Sequence, residues 1–147
     1  MSKIVPLLSS GIAGPLGVLH LPRLWLKVSL DACGKLATGY PAVGHGFDQM
    51  VIDGLNLNRD AVVSFISEKH PTYPQFEQWV REQPGAKIDK ASIETLNASL
   101  SGYNHDDGTR RSVLGAAGLA DDENAPRDAV NLNNLDDWTE FHSAELR

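Results

Sequence analysis

The stretch Leu19-His20-Leu21-Pro22-Arg23-Leu24-Trp25-Leu26-Lys27-Val28-Ser29-Leu30 constrains this chain more than any other. Pro22 fits the first turn of a helix, where its fixed φ is already helical and its missing N–H is not needed. Behind it Leu21, Leu24, Trp25, Val28 and Ala32 recur at i, i+3, i+4 spacing, and Leu26, Leu30 and Cys33 widen that face. Arg23, Lys27, Asp31 and Lys35 remain as a polar stripe. A helix apolar over most of its girth is normally enclosed by other elements. The spacing therefore predicts a central helix over about residues 22–37, with the rest of the chain as its packing partners.

Residues 1–18 are rich in Gly, Pro and Ser and read as an irregular arm laid over the core. Gly11, Gly14 and Gly17 are not spaced as a dinucleotide fingerprint. Gly39-Tyr40-Pro41 ends the central segment, because a residue before proline avoids helical angles. Phe47, Met50, Val51, Gly54 and Leu55 then form one face of a second helix. Asn58 caps a third, with Ala61, Val62, Phe65 and Ile66 inward, and Pro74 opens a fourth with Phe76, Trp79 and Val80. Asp89 caps a fifth carrying Ile93, Leu96 and Leu100. A sixth runs over about residues 109–117 with a small-sided apolar face, and Asn131 to Asn134 lead into a last helix carrying Leu135, Trp138, Phe141 and His142. No run of strands and no internal repeat is visible. The expectation is an all-α single domain over residues 1–147, a bundle of about seven helices around the central one.

Composition narrows the function. The chain has 147 residues, 41% of them hydrophobic and 22% charged, enough to bury a sizeable core. Thirteen basic against 19 acidic residues give a net charge of −6, and only Arg110-Arg111 stands out as basic. Nucleic acid is therefore not expected as a partner. The single cysteine cannot form an internal disulfide, which fits a reducing compartment, and Cys33 reads as a small buried hydrophobe. Pro6 and Pro15 break up the N-terminal apolar residues, and no segment reaches ~20 uninterrupted apolar residues, so neither a signal peptide nor a membrane span is expected. A cytoplasmic location is the default.

The polar residues crowd at two places, Tyr103-Asn104-His105-Asp106-Asp107 and Asn131-Leu132-Asn133-Asn134-Leu135-Asp136-Asp137. Helix capping explains part of that density. The remainder points to a polar pocket with His105, Asp106, Asp136 and His142 as catalytic candidates. His20, Arg23, His45, Tyr103, Asn104, Arg110 and Asn134 are the ligand-binding candidates. His20 precedes the central helix, His45 lies between glycines, and Arg110 sits near a helix N-terminus that favours an anion, the alternative being that Arg110 and Arg111 pair with Asp106, Asp107 or the acidic loop at 121–123. Trp25, Trp79 and Trp138 read as core residues at helical spacing.

Metal motifs do not fit. Counted from Asn104, the twelfth position of an EF-hand would be Gly115, and counted from Asp128 the third would be Val130. There is no His-Glu-x-x-His and no cysteine pair, so no metal site is assigned. The His105-Asp106 dyad, with His70 and Asp136 or Asp137, resembles the set that metal-dependent helical phosphohydrolases use. In that family the dyad follows apolar residues within a helix, whereas here it follows Gly102-Tyr103-Asn104 at a helix entrance.

Leu21-Pro22-Arg23, Gly39-Tyr40, Phe47-Asp48 and Trp79-Val80, taken in order, resemble a family of small bacterial proteins classed as a domain of unknown function. The likeness runs from roughly residue 14 into the last helix. It implies a bacterial cytoplasmic single domain and no particular activity. The leading expectation is a protein that binds, and in one version transforms, a small polar or anionic molecule. A non-catalytic protein-interaction module and a phosphohydrolase-like site are the alternatives. The sequence specifies neither a cofactor nor an oligomeric state.

Overall fold

Each helical period becomes a helix in the computed structural model, which describes residues 2–147. In chain order these are α1 (Leu21–Ala32), α2 (Phe47–Gly54), α3 (Arg59–Lys69), α4 (Tyr73–Glu82), α5 (Lys90–Ser101), α6 (Asp107–Ala117) and α7 (Ala129–Phe141). A π-helical turn, His142–Leu146, closes the chain. The fold is all-α: among the described residues no strand forms, and the β contacts are isolated bridges such as Ile4 to Leu36. No helix there is long and apolar enough to cross a membrane.

The starts of five helices are local chemistry. Asn58, Thr72, Asp89, Asp106 and Asp128 each accept the backbone N–H three residues ahead, on Ala61, Gln75, Ser92, Thr109 and Asn131. Each such cap is worth about 0.5–2 kcal/mol. Thr72 and Gln75 complete a reciprocal capping box. The cap at Asp128 corrects one expectation. Asn131 to Asn134 lie inside α7 rather than at its entrance, and Leu132, not Trp138, is buried.

The central helix differs from expectation in length and in facing. Gly34 takes a left-handed φ of 68°, and the N–H groups of Gly34 and Lys35 bond back to Asp31 O and Leu30 O at 2.9 and 2.8 Å. This Schellman-type turn stops α1 at Ala32 rather than near 37. The chain then returns to pair with Ile4, burying Leu36 and leaving Cys33 exposed rather than buried. The buried face of α1 is Leu21, Pro22, Arg23, Leu24, Lys27 and Val28. Arg23 and Lys27 thus point into the protein instead of forming a solvent stripe.

α1 contacts α2, α3 and α4. Leu21, Leu24 and Val28 meet Val51 and Ile52 of α2 and its C-cap Leu55, Val62 and Ile66 of α3, and Phe76 and Val80 of α4 in one apolar core. Trp25 and Trp79 pack partly buried against it, as expected, whereas Trp138 is 60% exposed. α6 lies along α7, with Leu114 and Leu132 fully buried. The small residues Gly115 and Ala116 of α6 are exposed, so the contact rests on Leu114 instead.

The N-terminal arm is fastened by buried polar groups. Glu77 of α4 accepts the Leu16 N–H at 3.0 Å and the Tyr73 hydroxyl at 2.6 Å. Gly14 passes so close that a Cβ there would lie 2.4 Å from Tyr73 Cε2 and 2.6 Å from Glu77 Oε2. Gly14→Ala is expected to lose about 1–3 kcal/mol, the usual range for forced overpacking, read by urea denaturation.

Candidate functional site

Three elements enclose a cleft of about 380 Å³. α1 contributes His20, at its N-cap, with Arg23 and Lys27 at three- and four-residue steps along one face. The segment before α2 and its first turn contribute Gly44, Gly46, Phe47 and Asp48. α7 contributes Asn133, Asp136 and Glu140, again one helical face. Thr38 to Pro41 and His105 complete the wall.

The floor is a buried network centred on Asp48. Its carboxylate accepts from His20 Nε2 at 2.6 Å, Lys27 Nζ at 2.5 Å and the Gly44 N–H at 2.7 Å. Burial alone would raise the Asp48 carboxyl. The hydrogen bond from His20 and the charge of Lys27 outweigh it and hold the group far below the ordinary carboxylate range. Burial pushes the His20 imidazole down, and the neighbouring Lys27 and Arg23 charges add to that against the pull of Asp48. His20 is therefore neutral, with Nε2–H donating to Asp48. Its Nδ1 is left to accept the Ser10 hydroxyl across 2.8 Å. The backbone of His20 is left-handed, at φ 70°, a strain of about 1–2 kcal/mol for a residue with a Cβ. The two ring contacts hold it there.

A second network ties α1 to α7. Arg23 donates to both oxygens of Asp137, at 2.6 and 3.0 Å, and to the arm carbonyls of Pro6 and Leu8 at 2.8 and 2.9 Å. The Tyr40 hydroxyl donates to Asp137 at 2.9 Å. Burial and the Asp137 charge push that phenol well above its ordinary value, so it stays a donor.

Two groups in the cleft are incompletely used. An ammonium has three donors, and among the described residues Lys27 gives one, to Asp48. Asp136, half-buried, receives no hydrogen bond from the described residues. Burial raises its pKa, the Asp137 and Glu140 charges raise it further, and Arg23 and His105 oppose them. A raised carboxyl holds its proton more tightly in the folded chain, so stability falls as pH rises above the ordinary value of 3.8, until the folded group has ionised. Asp136→Asn is accordingly expected to raise Tm at neutral pH. The gain should vanish below the ordinary aspartate range in a calorimetric pH series.

The cleft gathers His20, Arg23, His105 and Asp136 from the residues singled out in the sequence. His105 Nε2 pairs with Asn133 Oδ1 at 2.9 Å, so Asn133 rather than Asn134 belongs to the wall. The others lie elsewhere, each for a physical reason. Asp106 is the exposed cap of α6, bonded to Thr109 rather than orienting His105. Arg110 is buried beneath the 118–128 loop, held by Asp121, the Asp122 carbonyl and the Pro126 carbonyl. His45 is exposed, and the glycines on either side of it face the cleft instead. Tyr103, 44% exposed, sets its ring against Phe47, and the Asn104 backbone bridges to Asp128. His142 lies in a shallow groove with Leu119 and Trp138.

No three His, Cys, Asp or Glu side chains gather as a metal would require among the described residues, and His70 is an exposed C-cap of α3. Lys27, Asp48 and Tyr40 were not singled out as site residues. The signal was two basic residues four apart on an otherwise apolar helix, each needing a partner. Neither a protein-family model nor a curated protein matches this chain.

Proposed function

We propose that the chain binds a small polar molecule in the cleft between α1, α2 and α7. The observation that carries this reading is the pair of incompletely satisfied groups, Lys27 and Asp136, facing one open space of about 380 Å³. Folded proteins pair their buried polar groups, and departures that also raise a carboxyl pKa in a cavity mark functional sites. Lys27 offers donors to the ligand, and His105 and Thr38 supply further polar contacts at the wall. If the bound molecule is transformed, the proton-transfer group best placed is Asp136, whose raised pKa suits it to hold and release a proton. His105 is oriented by Asn133 and His142 lies outside the cleft, so neither forms a dyad with Asp106.

The motifs behind the bacterial-family resemblance support the same place. Arg23, Gly39, Tyr40, Phe47 and Asp48 all line the cleft, while Trp79 and Val80 belong to the core region. A second reading, a module that docks another protein, has one observation in its favour, the exposed Trp138 beside Leu119.

Thermal shift separates the two. The panel holds sugars, phosphates, small carboxylic acids and amino acids, run on the wild type and on Thr38→Trp, whose indole fills the cleft from an exposed wall position. A native-state ligand at a hundredfold excess over Kd adds about 2.7 kcal/mol. The expected result is at least one compound that raises wild-type Tm and leaves Thr38→Trp unchanged. Equal shifts in both proteins, or a flat wild type across the panel, would contradict the cleft reading. Loss of a protein partner in Trp138→Ala with cleft binding intact would favour the second.

A further inference from the structure

Resting on the cleft as a ligand site, we propose that its ligand is a small hydroxylated amine, an amino alcohol or amino sugar, whose ammonium meets Asp136 and Glu140 and whose neutral oxygen meets Lys27. The charge balance of the lining decides the sign. Arg23 is spent on Asp137 and on the carbonyls of Pro6 and Leu8, and Lys27 is paired with Asp48. Both pairs are neutral. His20 is held between Asp48 and Ser10, and His105 Nε2 meets Asn133 Oδ1. Asp136 and Glu140 are left over, since neither has a hydrogen bond or an ion pair among the described residues. They lie four residues apart on one face of α7, Asp136 half-buried and Glu140 at the exposed rim. The lining therefore carries unmatched negative charge and no unmatched positive charge.

Burial, and after it the Asp137 and Glu140 charges, already raise the Asp136 carboxyl, a repulsion that a bound cation relieves and an anion adds to. A metal ion is poorly served, because no three His, Cys, Asp or Glu side chains gather among the described residues. An ammonium brings its own three donors and needs only carboxylate acceptors. Lys27 sets the other end of the ligand. Its side chain is 8% exposed, it opens on the cleft, and one of its three donors goes to Asp48. A buried donor left unused costs free energy. The Lys27–Asp48 pair is already neutral, so the acceptor that completes it without a new charge is a neutral oxygen. The volume of about 380 Å³ admits an amino sugar.

The test compares probes of matched size and different charge. Ethanolamine, ethylene glycol and glycolate form one set, glucosamine, glucose and glucuronate the other, and ethylamine lacks the oxygen. Thermal shift and then calorimetric titration at neutral pH are run on wild type, Asp136→Asn/Glu140→Gln and Thr38→Trp. The expected result is that the amine of at least one set raises wild-type Tm and binds at least tenfold tighter than its neutral and acidic counterparts and than ethylamine. Its Kd should weaken at least tenfold in the double variant, whose residues are half-buried and exposed and should not unfold it. A neutral or acidic member that binds as well as its amine, ethylamine matching the tighter amine, undiminished affinity in the double variant, or silence from both amines overturns the hydroxylated amine. A shift from any other compound that Thr38→Trp abolishes then leaves the cleft reading standing. An amine shift that persists in Thr38→Trp puts the amine outside the cleft and overturns both.

Discussion

Asp48→Asn is expected to lower stability by about 3–5 kcal/mol, the usual loss when one partner of a buried ion pair is removed. The amide keeps an oxygen for the Gly44 N–H but carries no charge. The Lys27 ammonium, its side chain only 8% exposed, is then left without a counter-charge, and His20 loses the acceptor that fixes its tautomer. For a domain of this size the loss corresponds to a fall in Tm of roughly 10 °C. Adding Lys27→Met should recover about half of the loss, because the stranded charge is gone, and the double-mutant cycle measures that coupling.

The pH dependence of the wild type follows from the same network. His20 is lowered, so the stability from keeping it neutral is full above its ordinary value of 6.5 and falls as pH drops below it. Asp48 is lowered too, so its contribution is full above 3.8 and is lost below that. Urea midpoints should therefore decline in two stages on acidification, and Asp48→Asn should remove the lower one.

Arg23→Met has the second large effect, again about 3–5 kcal/mol, by leaving the Asp137 carboxylate buried with only Tyr40 as donor. It differs from Asp48→Asn in what else comes loose. The carbonyls of Pro6 and Leu8 lose their shared donor, so the arm should gain hydrogen exchange and protease sensitivity around residues 5–10 while α3 to α5 stay protected. Arg23→Lys should recover only part of the loss. A single ammonium cannot meet both Asp137 oxygens and both carbonyls as the planar guanidinium does.

Helices were legible where their causes are local. The caps Asn58 and Asp89 and the apolar periods of α2 to α5 need no distant partner. The end of α1 was missed because Leu36 continues the apolar spacing, while Gly34, one residue past the cap, is the signal that ends the helix. The inward turn of Arg23 and Lys27 is different in kind. A charge on a helix is ordinarily solvated, and what buries these two are carboxylates 114 and 21 residues away in sequence. Their place on an otherwise apolar helix marks them as needing partners, but nothing at their own positions names those partners. His105 and Asp136 were found because polar density does accumulate around a cleft. Asp106 shared that density and turned out to be a cap, which is why density alone found only part of the wall.

Whether the cleft takes a small polar molecule is read residue by residue by amide NMR. The isotopically labelled chain would be titrated with the sugars, phosphates, small carboxylic acids and amino acids in small groups. Shift changes are expected at Gly39, Gly44, Gly46, His105 and Asn133, which ring the cleft, with the far ends of α3 and α5 unmoved. Changes centred instead on Leu119, Trp138 and His142, or no changes at all, would contradict the cleft reading.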